Sequence, residues 1–141
     1  MDLNETNCYL SGLLDTASSV SVWMGPSYVV AEVFENDGFF AEFYGYYRLD
    51  PDVLLDTVTS FETLLKQWFG DEEKPDKKTV SALLYHMEKC FGKAEKVYSV
   101  KEDSLPKLEK KNSPVPFTFV EDMAVVRFEK YTVCFVLGNN E

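Results

Sequence analysis

Residues 27–50 read SYVVAEVFENDGFFAEFYGYYRLD, and the layout of this stretch decides the fold. Its two halves, 27–35 and 39–48, are rich in Val, Phe and Tyr and are separated by Asn36-Asp37-Gly38. Asn, Asp and Gly tolerate the positive φ of tight hairpin turns, so the stretch is expected to be a β-hairpin. With Gly38 left-handed and Glu35 opposite Phe39, Phe34 faces Phe40, Glu32 faces Glu42, Val30 faces Tyr44 and Tyr28 faces Tyr46. One face is then a pair of carboxylates framed by Tyr28, Phe34, Phe40, Tyr44 and Tyr46, and the other, Val29, Ala31, Val33, Phe39, Ala41 and Phe43, is a core face. A tight I′ turn on Asp37-Gly38 alone shifts the register by one residue and sends the two glutamates to opposite faces. Turn chemistry leaves both registers open.

The flanking segments set the rest of the expectation. Asn4 as cap and the spacing of Leu10, Leu13, Leu14 and Ala17 predict a helix over 4–17, followed by an extended run over 19–24 and a turn at Gly25-Pro26. Asp50-Pro51 is expected to open a helix that carries Val53, Leu54, Val58, Phe61, Leu64, Leu65 and Trp68 on one side and ends at Gly70. A charged connector over 71–78 leads to a helix at about 77–91, with Asp76 as cap, Val80, Leu83, Leu84, Met87 and Phe91 as its apolar stripe and Gly92 as its stop. Strands are expected at 95–100, 116–120, 123–129 and 131–137, with a polar loop over 102–114 and Glu121-Asp122 in a turn. The predicted order is α-β-β-β-α-α-β-β-β-β. It describes an α+β fold, an antiparallel sheet with two or three helices packed mainly on one face. At 141 residues, one domain spanning 1–141 is the default.

Charge is distributed unevenly. Residues 1–65 hold eleven acids and one base, Arg48, whereas 66–141 hold thirteen of each, so the net charge of −10 belongs to the first part. Nine of the 21 aromatic residues lie between Trp23 and Asp50, in that same acidic region. An acidic chain is a poor ligand for nucleic-acid phosphates and for anionic lipid. It suits a basic protein partner, because opposite charge steers encounter. No apolar run is long enough to span a bilayer, and Asp2 and Glu5 stand where a signal peptide would carry basic residues. Three widely spaced cysteines, Cys8, Cys90 and Cys134, suit a reducing compartment, so a cytoplasmic protein without disulfides is expected.

No motif specifies a reaction. The seven glycines are isolated, so phosphate-binding loops are lacking and no cofactor is implied. His86 and Cys90 share a helix face. A Cys3His zinc site would need both of them with Cys8 and Cys134, and a hydrolase built on the pair lacks an orienting acid and an oxyanion hole. No catalytic, cofactor or metal residue is assigned. Lys93, Lys96, Lys101, Lys107, Lys110 and Lys111 are nearly balanced by intervening acids and read as a solvated segment. The favoured function is a small binding module of the inhibitor or immunity type, engaging a basic partner through Tyr28, Glu32, Phe34, Phe40, Glu42, Tyr44 and Tyr46. The alternative is a small-molecule cup lined by Tyr44, Tyr46, Tyr47 and Trp68, and an enzyme ranks last. Composition sets neither the partner's identity nor the oligomeric state.

Overall fold

A computed structural model describes residues 2–21, 24–71, 73–109 and 119–139. The elements in chain order are α1 (Leu3–Val20), β1 (Ser27–Glu35), α2 (Phe39–Tyr47), β2 (Leu54–Asp56), α3 (Phe61–Trp68), α4 (Lys77–Phe91), β3 (Ala94–Val100), a 3-10 helix (Glu102–Glu109), β4 (Phe119–Phe128) and β5 (Tyr131–Asn139). The five strands form one antiparallel sheet in the order β1-β5-β4-β3-β2. This is the expected α+β class, with α1, α3 and α4 sharing one face of the sheet.

Strand alternation explains two cores. Val29 and Val33 of β1, Val97 of β3, Ala124, Val126 and Phe128 of β4, and Val133 and Phe135 of β5 point to the three-helix side. The residues between them, among them Phe34, Met123, Val125, Cys134 and Val136, point to the other side. There they meet Phe39, Phe43 and Tyr47 of α2, together with Leu49, Val53 and Leu105. Both sheet faces are therefore covered, which is why β5 reads as a nearly continuous apolar run.

The hairpin expected at 27–48 does not form. Its first half is β1, which pairs with β5 in the register Glu32↔Cys134 and Val33↔Val133. Its second half is α2, so neither hairpin register applies. Phe39, Phe43 and Tyr47 recur every four residues and are all buried, with Phe40 and Tyr44 beside them. A strand would have put Phe40, Tyr44 and Tyr46 on the face opposite Phe39, Phe43 and Tyr47, whereas in α2 Tyr44 is half-buried and Phe40 and Tyr46 are partly covered. Each large apolar side chain buried contributes about 1.5–3 kcal/mol, which outweighs the weak β preference of aromatics. Gly38, at φ 73°, makes the left-handed step into α2. Asn36 is drawn away from a hairpin turn, donating to the Phe128 carbonyl at 3.2 Å and accepting from the Thr132 hydroxyl at 2.6 Å.

Other expected boundaries shift for local reasons. α1 extends over Leu3–Val20 and is capped by Asp2 rather than Asn4, the Asp2 carboxylate accepting from the Glu5 N–H at 2.8 Å. The extended run over 19–24 is therefore helical at its start, and residues 22 and 23 lie outside the described residues. The long helix from Asp50 is also corrected. Val53 is buried in the second core, Leu54–Asp56 pair with β3, and the helix begins only after Ser60, whose side chain accepts from the Thr63 N–H. The β-branched run Thr57-Val58-Thr59 disfavours the intervening helical turns.

The strands expected at 116–120 and 123–129 are, as far as they are described, one strand with an irregularity between Val120 and Asp122. Glu121-Asp122 is thus a strand bulge and not a turn. Part of the loop expected at 102–114 is the 3-10 helix, and its residues 110–114 lie outside the described residues, as do 116–118 of the expected strand. α4 has the expected cap at Asp76 and stop at Gly92, and the last two strands pair as expected.

Candidate interaction face

The seven residues expected to form a site all lie on one side of the sheet, in an arrangement other than the one predicted. Tyr28, Glu32 and Phe34 are alternate residues of β1, and all point toward the layer that holds α2. Phe40, Glu42, Tyr44 and Tyr46 lie on α2 itself. Glu32 and Glu42 no longer face each other across a ladder. Glu32 is half-buried on the edge strand, whereas Glu42 is exposed in the first turn of α2, one helical turn before Tyr46.

The contact that joins the two elements is the Tyr46 hydroxyl, which donates to Glu32 Oε2 at 3.4 Å. The Tyr46 ring also meets Phe34 edge-on, with centroids 5.7 Å apart. Burial pushes the Glu32 carboxyl above its usual range, and the Tyr46 hydrogen bond offsets part of that shift. The described ion pairs are Lys66–Glu62, Lys96–Asp56, Lys101–Asp52 and Arg127–Glu95, and Glu32, Glu35, Asp37 and Glu42 take part in none of them.

On the other flank of α2, Phe40 stacks on Tyr44 with centroids 6.3 Å apart and meets the Tyr98 ring of β3 edge-on. The Tyr44 hydroxyl donates to the Pro51 carbonyl at 2.8 Å, tying α2 to the turn before β2. Phe34 is buried, so it supports the face without presenting itself, while Phe40 and Tyr46 are 46% and 40% exposed. Beneath them, Tyr47 and Cys134 are both buried in the second core. Burial, first of all, holds the Tyr47 phenol well above its usual value and pushes the Cys134 thiol up as well. Cys134 is thus a protonated core thiol and not a nucleophile.

Tyr98, Asp56 and Lys96 border this face; sequence reasoning did not single out Tyr98 or Asp56 and read Lys96 as part of a solvated segment. Lys96 pairs with Asp56 at 2.8 Å and lies 4.8 Å from the Tyr98 ring centroid. Their convergence depends on the β2–β3 register Asp56↔Tyr98, which no local pattern encodes. The spacing 39, 43, 47 was the readable signal for α2.

The other candidates are dispersed. Tyr44, Tyr46 and Tyr47 lie on the α2 side of the sheet and Trp68 on the opposite side, where its indole donates to Asp122 at 2.9 Å. They cannot line one cup. A cleft of about 470 Å³ lies instead between α1 and α4, lined by Leu13, Ala17, Val20, Leu83 and His86 among others. Cys8 and Cys90, on α1 and α4, are separated by the sheet from Cys134, and among the described residues no three His, Cys, Asp or Glu side chains are placed to hold a metal. His86 meets the Tyr9 hydroxyl at 3.4 Å. Lys110 and Lys111 lie outside the described residues. Among the described residues no helix is long and apolar enough to cross a membrane.

The fold and the face together define an α+β protein whose sheet carries three helices on one side and a short aromatic helix on the other. No protein-family model matches the sequence, and no curated protein or solved structure matches it.

Proposed function

We propose that this protein is a small cytoplasmic binding module that engages a basic protein partner through the acidic, aromatic face of α2 and β1. The observation that supports it most directly is Glu32. It is a half-buried carboxylate held above its usual pKa by burial, its described hydrogen-bond donor is the neutral Tyr46 hydroxyl, and the Tyr46 ring beside it is exposed. A Lys or Arg brought to that position supplies an opposite charge, and Tyr46 adds cation–π attraction of about 0.5–2 kcal/mol. Glu42 lies on α2 one helical turn before Tyr46, and Arg48 is the only base in residues 1–65. The same charge disfavours nucleic-acid phosphates. Three free thiols at separate places in the fold agree with a reducing compartment. The mode of action is that of inhibitors and immunity proteins, in which an acidic surface occludes a basic one.

The test is an NMR titration with a blocked peptide of arginines. Amide shifts are expected over residues 28–50, and affinity is expected to fall about tenfold in Glu32→Gln/Glu42→Gln and again on raising salt from about 50 to about 500 mM. Binding that is equally tight in the double variant, or absent altogether, rejects the proposal.

A further inference from the structure

On the side of the sheet away from the acidic face, side chains bridge α1 and α4 at two places. At one the Ser21 hydroxyl donates to Asp76 Oδ2 at 2.9 Å. At the other the Tyr9 hydroxyl meets His86 Nδ1 at 3.4 Å. Between the bridges lies the cleft of about 470 Å³. Ala17 and Ala82 line it, and side chains this small leave space where larger ones would fill the gap between two helices. Leu13, Val20 and Leu83 complete an apolar lining.

The size and the ends of the cleft select a small molecule. Sites for such ligands span roughly 300–1,000 Å³. The bridges bound the cleft to the stretch of α4 between Asp76 and His86, about 15 Å at 1.5 Å per residue. A partner's helix or strand runs on past such ends, whereas a short-chain molecule fits within them.

The polar groups select its chemistry. Asp76 and Lys78 line the same end and carry opposite charges. The Asp76 carboxylate already accepts from the Ser21 and Thr79 hydroxyls and from the Thr79 N–H. A carboxylate ligand gains from Lys78 and loses against Asp76, an ammonium does the reverse, and either gives up its water to enter an apolar cleft. A neutral molecule avoids that cost. At the other end, the second ring nitrogen of His86 has no hydrogen-bond partner among the described residues. It donates or accepts according to the tautomer, and a hydroxyl serves it in either state.

We propose that this cleft binds a neutral, medium-chain aliphatic alcohol, its chain against Leu13, Ala17 and Leu83 and its hydroxyl at His86 Nε2. The site shares no residue with the acidic face and stands or falls separately from it.

The probe is octan-1-ol, added to the full chain and followed by NMR. A Kd on the order of 0.1–1 mM is expected for a ligand of this size. Amide shifts are expected at residues 13–20 and 79–86, together with a shift of the Nε2 signal of the chain's single histidine. Ala82→Phe, at an exposed position, fills the cleft and is expected to weaken binding at least about tenfold with the unfolding midpoint kept. Octanoate and octylammonium are each expected to bind at least about fivefold more weakly than the alcohol. No shift at these residues in octanol-saturated buffer, or unchanged affinity in Ala82→Phe, overturns the site. Equal affinity for either charged analogue overturns the neutral ligand, and an unmoved histidine signal overturns the placement of its hydroxyl.

Discussion

Glu32 shows how one position links strand parity to a measurable quantity. Its place on the α2 side of β1 was legible from alternation alone, because Val29, Ala31 and Val33 had to face the larger core. Its partner was not legible, since Tyr46 reaches it from a helix and not from a neighbouring strand. Burial raises its pKa above the unfolded value, so the fold prefers the protonated acid. That preference is fully present below the unfolded pKa and is lost as pH rises through the folded one. Glu32→Gln, which keeps a neutral group of the same shape, is therefore expected to match the parent at about pH 4 and to be the more stable at about pH 7.5. Urea unfolding at both pH values checks this, and a stability difference that does not grow with pH contradicts it. Asn7 makes the opposite kind of contribution, serving both backbone groups of Val33. Asn7→Ala is expected to cost about 2 kcal/mol, at roughly 1 kcal/mol per hydrogen bond, and to speed amide exchange at Val33.

Among the elements, α4, the β4–β5 pair and β1 itself were readable because apolar period, caps and turns all agree there. α2 was misread because FFAEFYGYY satisfies two periods at once. Phe39, Ala41 and Phe43 alternate like a strand, and Phe39, Phe43 and Tyr47 recur like a helix. Local turn chemistry at Asn36-Asp37-Gly38 then favoured the wrong choice, since Asn36 in fact bonds across to the β4–β5 hairpin, far off in sequence. Gly45 discriminates the two conformations in solution. It lies in α2 without a positive φ, and a Cβ built there meets nothing within 4 Å. Gly45→Ala is therefore expected to stabilise the protein by about 0.5–1 kcal/mol, the usual helical gain. Gly38 behaves oppositely although its surroundings are equally open, because φ 73° strains an L-residue. Gly38→Ala is expected to cost about 1–2 kcal/mol, with Gly38→Asn costing less. Thermal or urea unfolding of the three variants reads all of these signs.

For the molecule as a whole, the two cores separate structural demand from charge. Three helices on one side carry the larger core, and α2 with its flanking turn closes the smaller one. The acids of the α2 side are not needed for either core: Glu42 is exposed and joins none of the described ion pairs. Two opposing effects bear on its replacement by a base. Glu42 lies in the first turn of α2, where an acid complements the helix dipole by about 0.3–1 kcal/mol. Against that, a base removes two units from a net charge of −10 and relieves self-repulsion. The terms nearly cancel, so Glu42→Lys is expected to shift stability by no more than about 0.5 kcal/mol in either direction. Its effect on binding has no such cancellation, because the incoming cation meets a like charge where it met an opposite one. Affinity for the arginine peptide is expected to fall more than about tenfold, with the loss shrinking as salt is raised. Unfolding midpoints measured beside peptide titrations give both quantities for the same variant. A large stability loss would mean that Glu42 serves the fold. Unchanged stability with lost binding is what a carboxylate held for a partner should give.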